Sequence, residues 1–115
     1  MITVNLSEGK NSLSLRVEGH AGAGAWGKDL VCAAASILTY TAAAQTRQLY
    51  RRGILRTRPH IRLAPGKAKL FMENCPEAKQ MLEVLCTGFD LLALRYPKNV
   101  QFVRIGKERN DDEKL

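Results

Sequence analysis

Two runs near the start of the chain alternate apolar and polar residues with the period of a strand: Ile2, Val4 and Leu6, then Leu13, Leu15 and Val17. Glu8-Gly9-Lys10-Asn11 joins them, so the pair predicts an antiparallel hairpin with one buried face. From Asp29 to about Arg52 the apolar period lengthens to that of a helix, with Val31, Ala35, Leu38, Ala42 and Leu49 roughly on one stripe. Gly53 is placed to end it. Two weaker strands follow, over 54–63 and 68–72, with a Pro65-Gly66 turn between them. Pro59 makes the first of these an edge or bent strand, since a proline cannot donate to a sheet ladder.

Asn74-Cys75-Pro76-Glu77 reads as the capped start of a second helix, with Glu77 at the capping-box position. Ala78, Met81, Leu82, Leu85, Phe89, Leu92 and Tyr96 mark its buried face, and Pro97 stops it. A last strand is expected over 99–105, and then a charged, frayed tail over 106–115. The order ββαββαβ predicts an α+β fold, two helices packed on a mainly antiparallel sheet.

At 115 residues the chain holds one domain, expected to span 1–105. Hydrophobic content of 45% with 25% charged residues is ordinary for a soluble globular protein. No apolar run reaches the length of a membrane span, and the N-terminus lacks a signal-peptide layout. Cys32, Cys75 and Cys86 are too irregularly spaced for a disulfide framework or a metal site, which favours a reducing, cytoplasmic setting. The net charge of +7 is unevenly spread: no acidic residue occurs between Leu30 and Met72, a stretch rich in arginine from Arg47 to Arg62. It attracts RNA or an acidic partner, or is a plain solvated basic face.

Candidate chemistry concentrates between His20 and Cys32. His20 closes the second strand, and a loop rich in glycine and alanine leads to Asp29, which can cap the first helix. Cys32 then falls in that helix's first turn, where unpaired N–H groups and the positive end of the dipole favour a thiolate. A nearby imidazole can hold the cysteine's proton. Ser36 lies one turn later on the same face and is expected to bond back to the carbonyl of Cys32. Cys86 belongs to the apolar register of the second helix and reads as inert core. Cys75 has no accompanying base.

The loop also matches the dinucleotide fingerprint Gly22-x-Gly24-x-x-Gly27. That motif requires a βαβ unit and an acidic residue about 20 positions further on, and neither is evident here. A mobile lid over a groove beside Cys32 is the simpler reading of this segment, with Trp26 its one bulky residue.

Gly19-His20-Ala21, followed by Gly27-x-Asp29-Leu30-Val31-Cys32-Ala33-Ala34-x-Ser36, resembles the signature of the ribosomal-processing cysteine proteases. The start Met1-Ile2-Thr3-Val4 and the order of elements agree with that family along nearly the whole chain. The resemblance implies a cytoplasmic endopeptidase, usually a homodimer, that works through a Cys–His dyad without metal or organic cofactor. On this basis Cys32 is the nucleophile and His20 the base, with Asp29 and Ser36 at motif positions beside them. Ala21, Gly22, Ala23, Gly24, Ala25, Trp26 and Gly27 form the substrate lid. The family's substrate is a large-subunit ribosomal protein with an N-terminal extension; relatives also occur in phage-derived gene sets, so a protease of the same family acting on a phage-derived protein is one alternative. A different class, a non-enzymatic module docking on RNA or the ribosome through its basic stretch, is the other.

Overall fold

The hairpin forms as its alternation demands. A computed structural model describes residues 1–20 and 26–106, without the side chains of 26–29. In it β1 (Ile2–Glu8) pairs antiparallel with β2 (Ser12–Gly19), setting Val4 opposite Val17 and Leu6 opposite Leu15. β2 takes β4 (Lys67–Glu73) on its other side, and β4 takes β3 (His60–Ala64), both antiparallel. β5 (Val100–Gly106) joins the far edge in parallel with β1, giving the order β3-β4-β2-β1-β5.

The register aligns apolar residues across strands: Leu6, Leu15 and Leu70 form one row, and Leu13 and Met72 lie in the next. Against that face pack α1 (Trp26–Arg51), through Val31, Ala35, Ala42 and Leu49, and α2 (Pro76–Arg95), through Ala78, Leu82, Leu85 and Phe89. Burying each large side chain contributes about 1.5–3 kcal/mol. Where the helices meet, Gly88 makes room for Leu38, whose Cδ2 would lie 2.8 Å from a Cβ at that position. The architecture is therefore the expected α+β sandwich of two helices on a mainly antiparallel sheet. None of its described helices is long and apolar enough to cross a membrane.

Four local expectations are corrected. β3 begins only at His60, because residues 54–58 fold back instead of extending. Gly53, at φ +79°, turns the chain, and the N–H groups of Ile54 and Leu55 both donate to the Leu49 carbonyl. Glu73 then accepts the backbone N–H groups of Arg56 and Thr57 and the Thr57 hydroxyl.

α1 begins at Trp26, three residues before Asp29, so Asp29 lies inside the helix and does not cap it. Gly27 costs about 1 kcal/mol there relative to alanine, less than the buried stripe behind it returns. At α2 the N-cap position is Cys75, without a side-chain cap. Asn74 instead ties the β1–β2 turn to the helix start, donating Nδ2 to the Gly9 carbonyl and its N–H to that of Asn11. Tyr96 is the C-cap of α2 and, at 38% exposed, is not among its buried residues.

Candidate active site

His20 follows β2 directly and is fixed by the residues on either side of it in space. Gly19 has φ +103°, and a Cβ there would lie 2.1 Å from the Met1 carbonyl oxygen, so only glycine fits. Its N–H donates to the carbonyl of Gly66 at 2.9 Å, which brings the β3–β4 turn alongside the end of β2. Gly66 is also left-handed, at φ +71°, and a Cβ there would sit 2.6 Å from His20 Nε2. The imidazole thus lies against the bare face of Gly66.

Cys32 approaches from the other side. It is half-buried on α1, packed against the core, and shares a cleft of about 190 Å³ with His20 and Ser36. The far wall is the hairpin turn Leu63, Ala64, Pro65 and Gly66, while Thr39 and Tyr40 continue the near wall along α1. A volume of this size equals about six waters, enough for a short piece of extended peptide.

Three expectations about the site change. Cys32 is the seventh residue of α1, not the third, so it stands in the second turn. Its own N–H is then engaged within the helix, and the free first-turn N–H groups point away from it. The dipole's influence fades after the first turn. Ser36 makes no bond to the Cys32 carbonyl and leaves an exposed hydroxyl in the cleft. The back-bond of this helix face is made by Thr39, whose Oγ1 donates to the Ala35 carbonyl at 2.7 Å.

Of the expected lid, Ala21, Gly22, Ala23, Gly24 and Ala25 lie outside the described residues. Trp26 and Gly27 belong to α1. The dinucleotide reading fails on topology: β2 and β3 run parallel but with β4 between them, so β2, α1 and β3 do not make the unit of adjacent parallel strands that the fingerprint requires.

The other cysteines behave differently from Cys32. Burial pushes the Cys86 thiol up to about 12, with a smaller opposing pull from Arg104. Cys75 is half-buried at the N-cap position of α2, outside the cleft. Sequence reasoning missed the hairpin turn as the second wall, although Pro65-Gly66 was legible as a turn. Among the described residues no group of three or more His, Cys, Asp or Glu could hold a metal ion.

Comparison with known proteins bears on the family and the fold. A family model described as cysteine protease Prp matches residues 1–101. The structure is similar to the ribosomal processing protease Prp from S. aureus in complex with a covalently linked product peptide. The TM-score is 0.69 at 23% identity, covering 90% of this chain and 99% of that one. A structure of SMU.848 from Streptococcus mutans is similar with a TM-score of 0.68 at 23% identity, covering 93% and 96%. The S. aureus protease with a substrate peptide matches with a TM-score of 0.65 at 21% identity, covering 90% and 99%. No curated protein matches in sequence.

Proposed function

Because the chain belongs to the cysteine protease Prp family, we propose that it is an endopeptidase removing the N-terminal extension of a large-subunit ribosomal protein. In this reading Cys32 is the nucleophile and His20 its general base. The observation that carries it is the shared cleft, in which a half-buried thiol on α1 and an imidazole seated on Gly66 face the same space. The existence of a similar protease with a covalently linked product peptide supports a covalent route.

Cys32 Sγ, having given its proton to His20, attacks the scissile carbonyl carbon and forms a tetrahedral oxyanion. As the C–N bond breaks, His20 passes that proton to the leaving amine. Water then attacks the thioester, giving a proton to His20, and the acid product departs as Sγ is released. With Cys32 in the second turn, the helix dipole gives little help, so activation of the thiol rests mainly on His20. The hydroxyl of Ser36, one turn along the same face and without a partner among the described residues, is a donor available to the oxyanion. The chain would act in the cytoplasm on a protein substrate.

It would do so as a homodimer. Val84 and Leu91 flank Gly88 on the outer side of α2 and Leu94 continues the stripe, all well over half exposed. Ile37 of α1 stands exposed beside Leu38, which packs on Gly88. An apolar face of this kind marks a protein interface.

Incubating the protein with the ribosomal precursor and finding the cut by mass spectrometry tests the reading. Cleavage should be lost in a folded Cys32→Ala variant and slowed by orders of magnitude in His20→Ala. Undiminished cleavage by folded Cys32→Ala would end it.

A further inference from the structure

The basic stretch does not form one patch. It divides between the C-terminal end of α1 and the sheet face opposite the helices, and the two parts meet at the β3 edge. On the sheet, Arg62 lies opposite Lys69. Two residues along each strand, about 7 Å away, His60 lies opposite Phe71, their ring centroids 6.2 Å apart and tilted by 59°. Because Leu70 and Met72 are buried against the helices, Lys69 and Phe71 point the other way, and Phe71 is 37% exposed.

Ile61 lines both this depression and a second one, formed by Arg47, Tyr50, Arg51 and Arg58 around Pro59. Arg47, Arg51, Arg58, Arg62 and Lys69 have no carboxylate partner among the described residues. Glu18, the acidic neighbour on the sheet, is shared between Arg16 and Lys67. Glu73 is occupied by the backbone of residues 56–57.

We propose that this track binds single-stranded nucleic acid, its phosphates on the five free cations and its bases stacked on Phe71, His60 and Tyr50. Open rings set between unpaired cations are what a stacked single strand requires. An acidic peptide has no use for the rings, and a duplex hides its base faces. None of these eight side chains lines the cleft that holds Cys32, so the track is separate from the proteolytic reading and can fail or succeed without it.

Fluorescence anisotropy on the whole chain provides the test, with labelled 12-nucleotide RNA and DNA single strands of one mixed sequence. Binding to either strand supports the site, and the tighter one identifies its source. With five phosphates engaged, log affinity should fall against log salt with a slope of about −3.5, and Arg51→Ala with Arg62→Ala should reduce that by about 1.4. Phe71→Ala should weaken binding about fivefold or more at unchanged slope. His60→Ala, at an exposed position, gives the same reading where Phe71→Ala disturbs folding. All these variants should cleave the precursor peptide at the wild-type rate. Ring variants that bind as wild type would overturn the proposal, as would an RNA duplex or polyglutamate binding as tightly as the single strand.

Discussion

Position 66 shows how a residue with no functional atoms can set the place of a neighbouring side chain. Gly66 and Gly53 both hold left-handed backbone, at φ +71° and +79°, but a Cβ at Gly53 meets nothing within 4 Å while one at Gly66 meets the His20 ring. Each alanine substitution should cost about 1–2 kcal/mol in backbone strain. Only Gly66→Ala should also displace His20, lowering kcat/KM at least tenfold in protein that remains folded. Paired melting curves and peptide-cleavage kinetics on the two variants separate the effects, and equal kinetics would mean that His20 does not need this seat. The same contrast of place distinguishes the thiols. Cys86, with its thiol pushed up to about 12 by burial, should resist alkylation near neutral pH until the protein unfolds, whereas Cys32 opens on the cleft.

At the scale of elements, polar contacts finish what apolar patterning begins. Arg104 of β5 donates to both carboxylate oxygens of Glu83 on α2, at 2.8 and 3.0 Å, clamping the parallel edge strand to the helix. That hydrogen bonding, more than the opposing effect of burial, holds the Glu83 carboxyl below its ordinary value, and the Arg104 charge adds to it. A carboxyl lowered in the folded state adds stability above its unfolded value, near 4.5, and loses it as pH falls through the folded one. Both side chains are about two-fifths exposed, so solvent keeps the contribution near 0.5 kcal/mol. Arg104→Ala should therefore lower the urea midpoint slightly at pH 7 and hardly at all at pH 3. A deficit that persists undiminished at pH 3 would assign the effect to lost packing of the arginine stem instead.

At the scale of the whole molecule, the two faces carry different surfaces. The outer side of the helix pair is apolar, with Leu94 72% and Leu91 58% exposed, while the open side of the sheet is basic. Pairing two copies through the helices would cover the first and leave the second free. Leu91→Lys with Leu94→Lys places cations toward the C-terminal end of α2, where the dipole tolerates them. Sedimentation velocity should then show the species shift from two chains to one of 12.8 kDa. A variant that sediments as the wild type does would move the interface elsewhere.

The order of elements was legible because it is written in neighbouring residues. Period-two alternation defines β1 and β2, the helical stripe from Val31 to Leu49 defines most of α1, and Pro76 and Pro97 bracket α2. That His20 and Cys32 would line one cleft was legible for the same reason, since they stand only twelve positions apart in the sequence. Strand order decided the rest. It set the Pro65-Gly66 turn against His20, it sent Asn74 to the β1–β2 turn instead of to its own helix, and it parted the basic stretch between two faces. Such contacts join residues distant in the chain, and the local pattern constrains them little because a turn or a cap forms equally well beside many neighbours. The depth of Cys32 in α1 follows the same logic: Gly27 reads locally as loop, and the buried stripe packed on the sheet makes it helix.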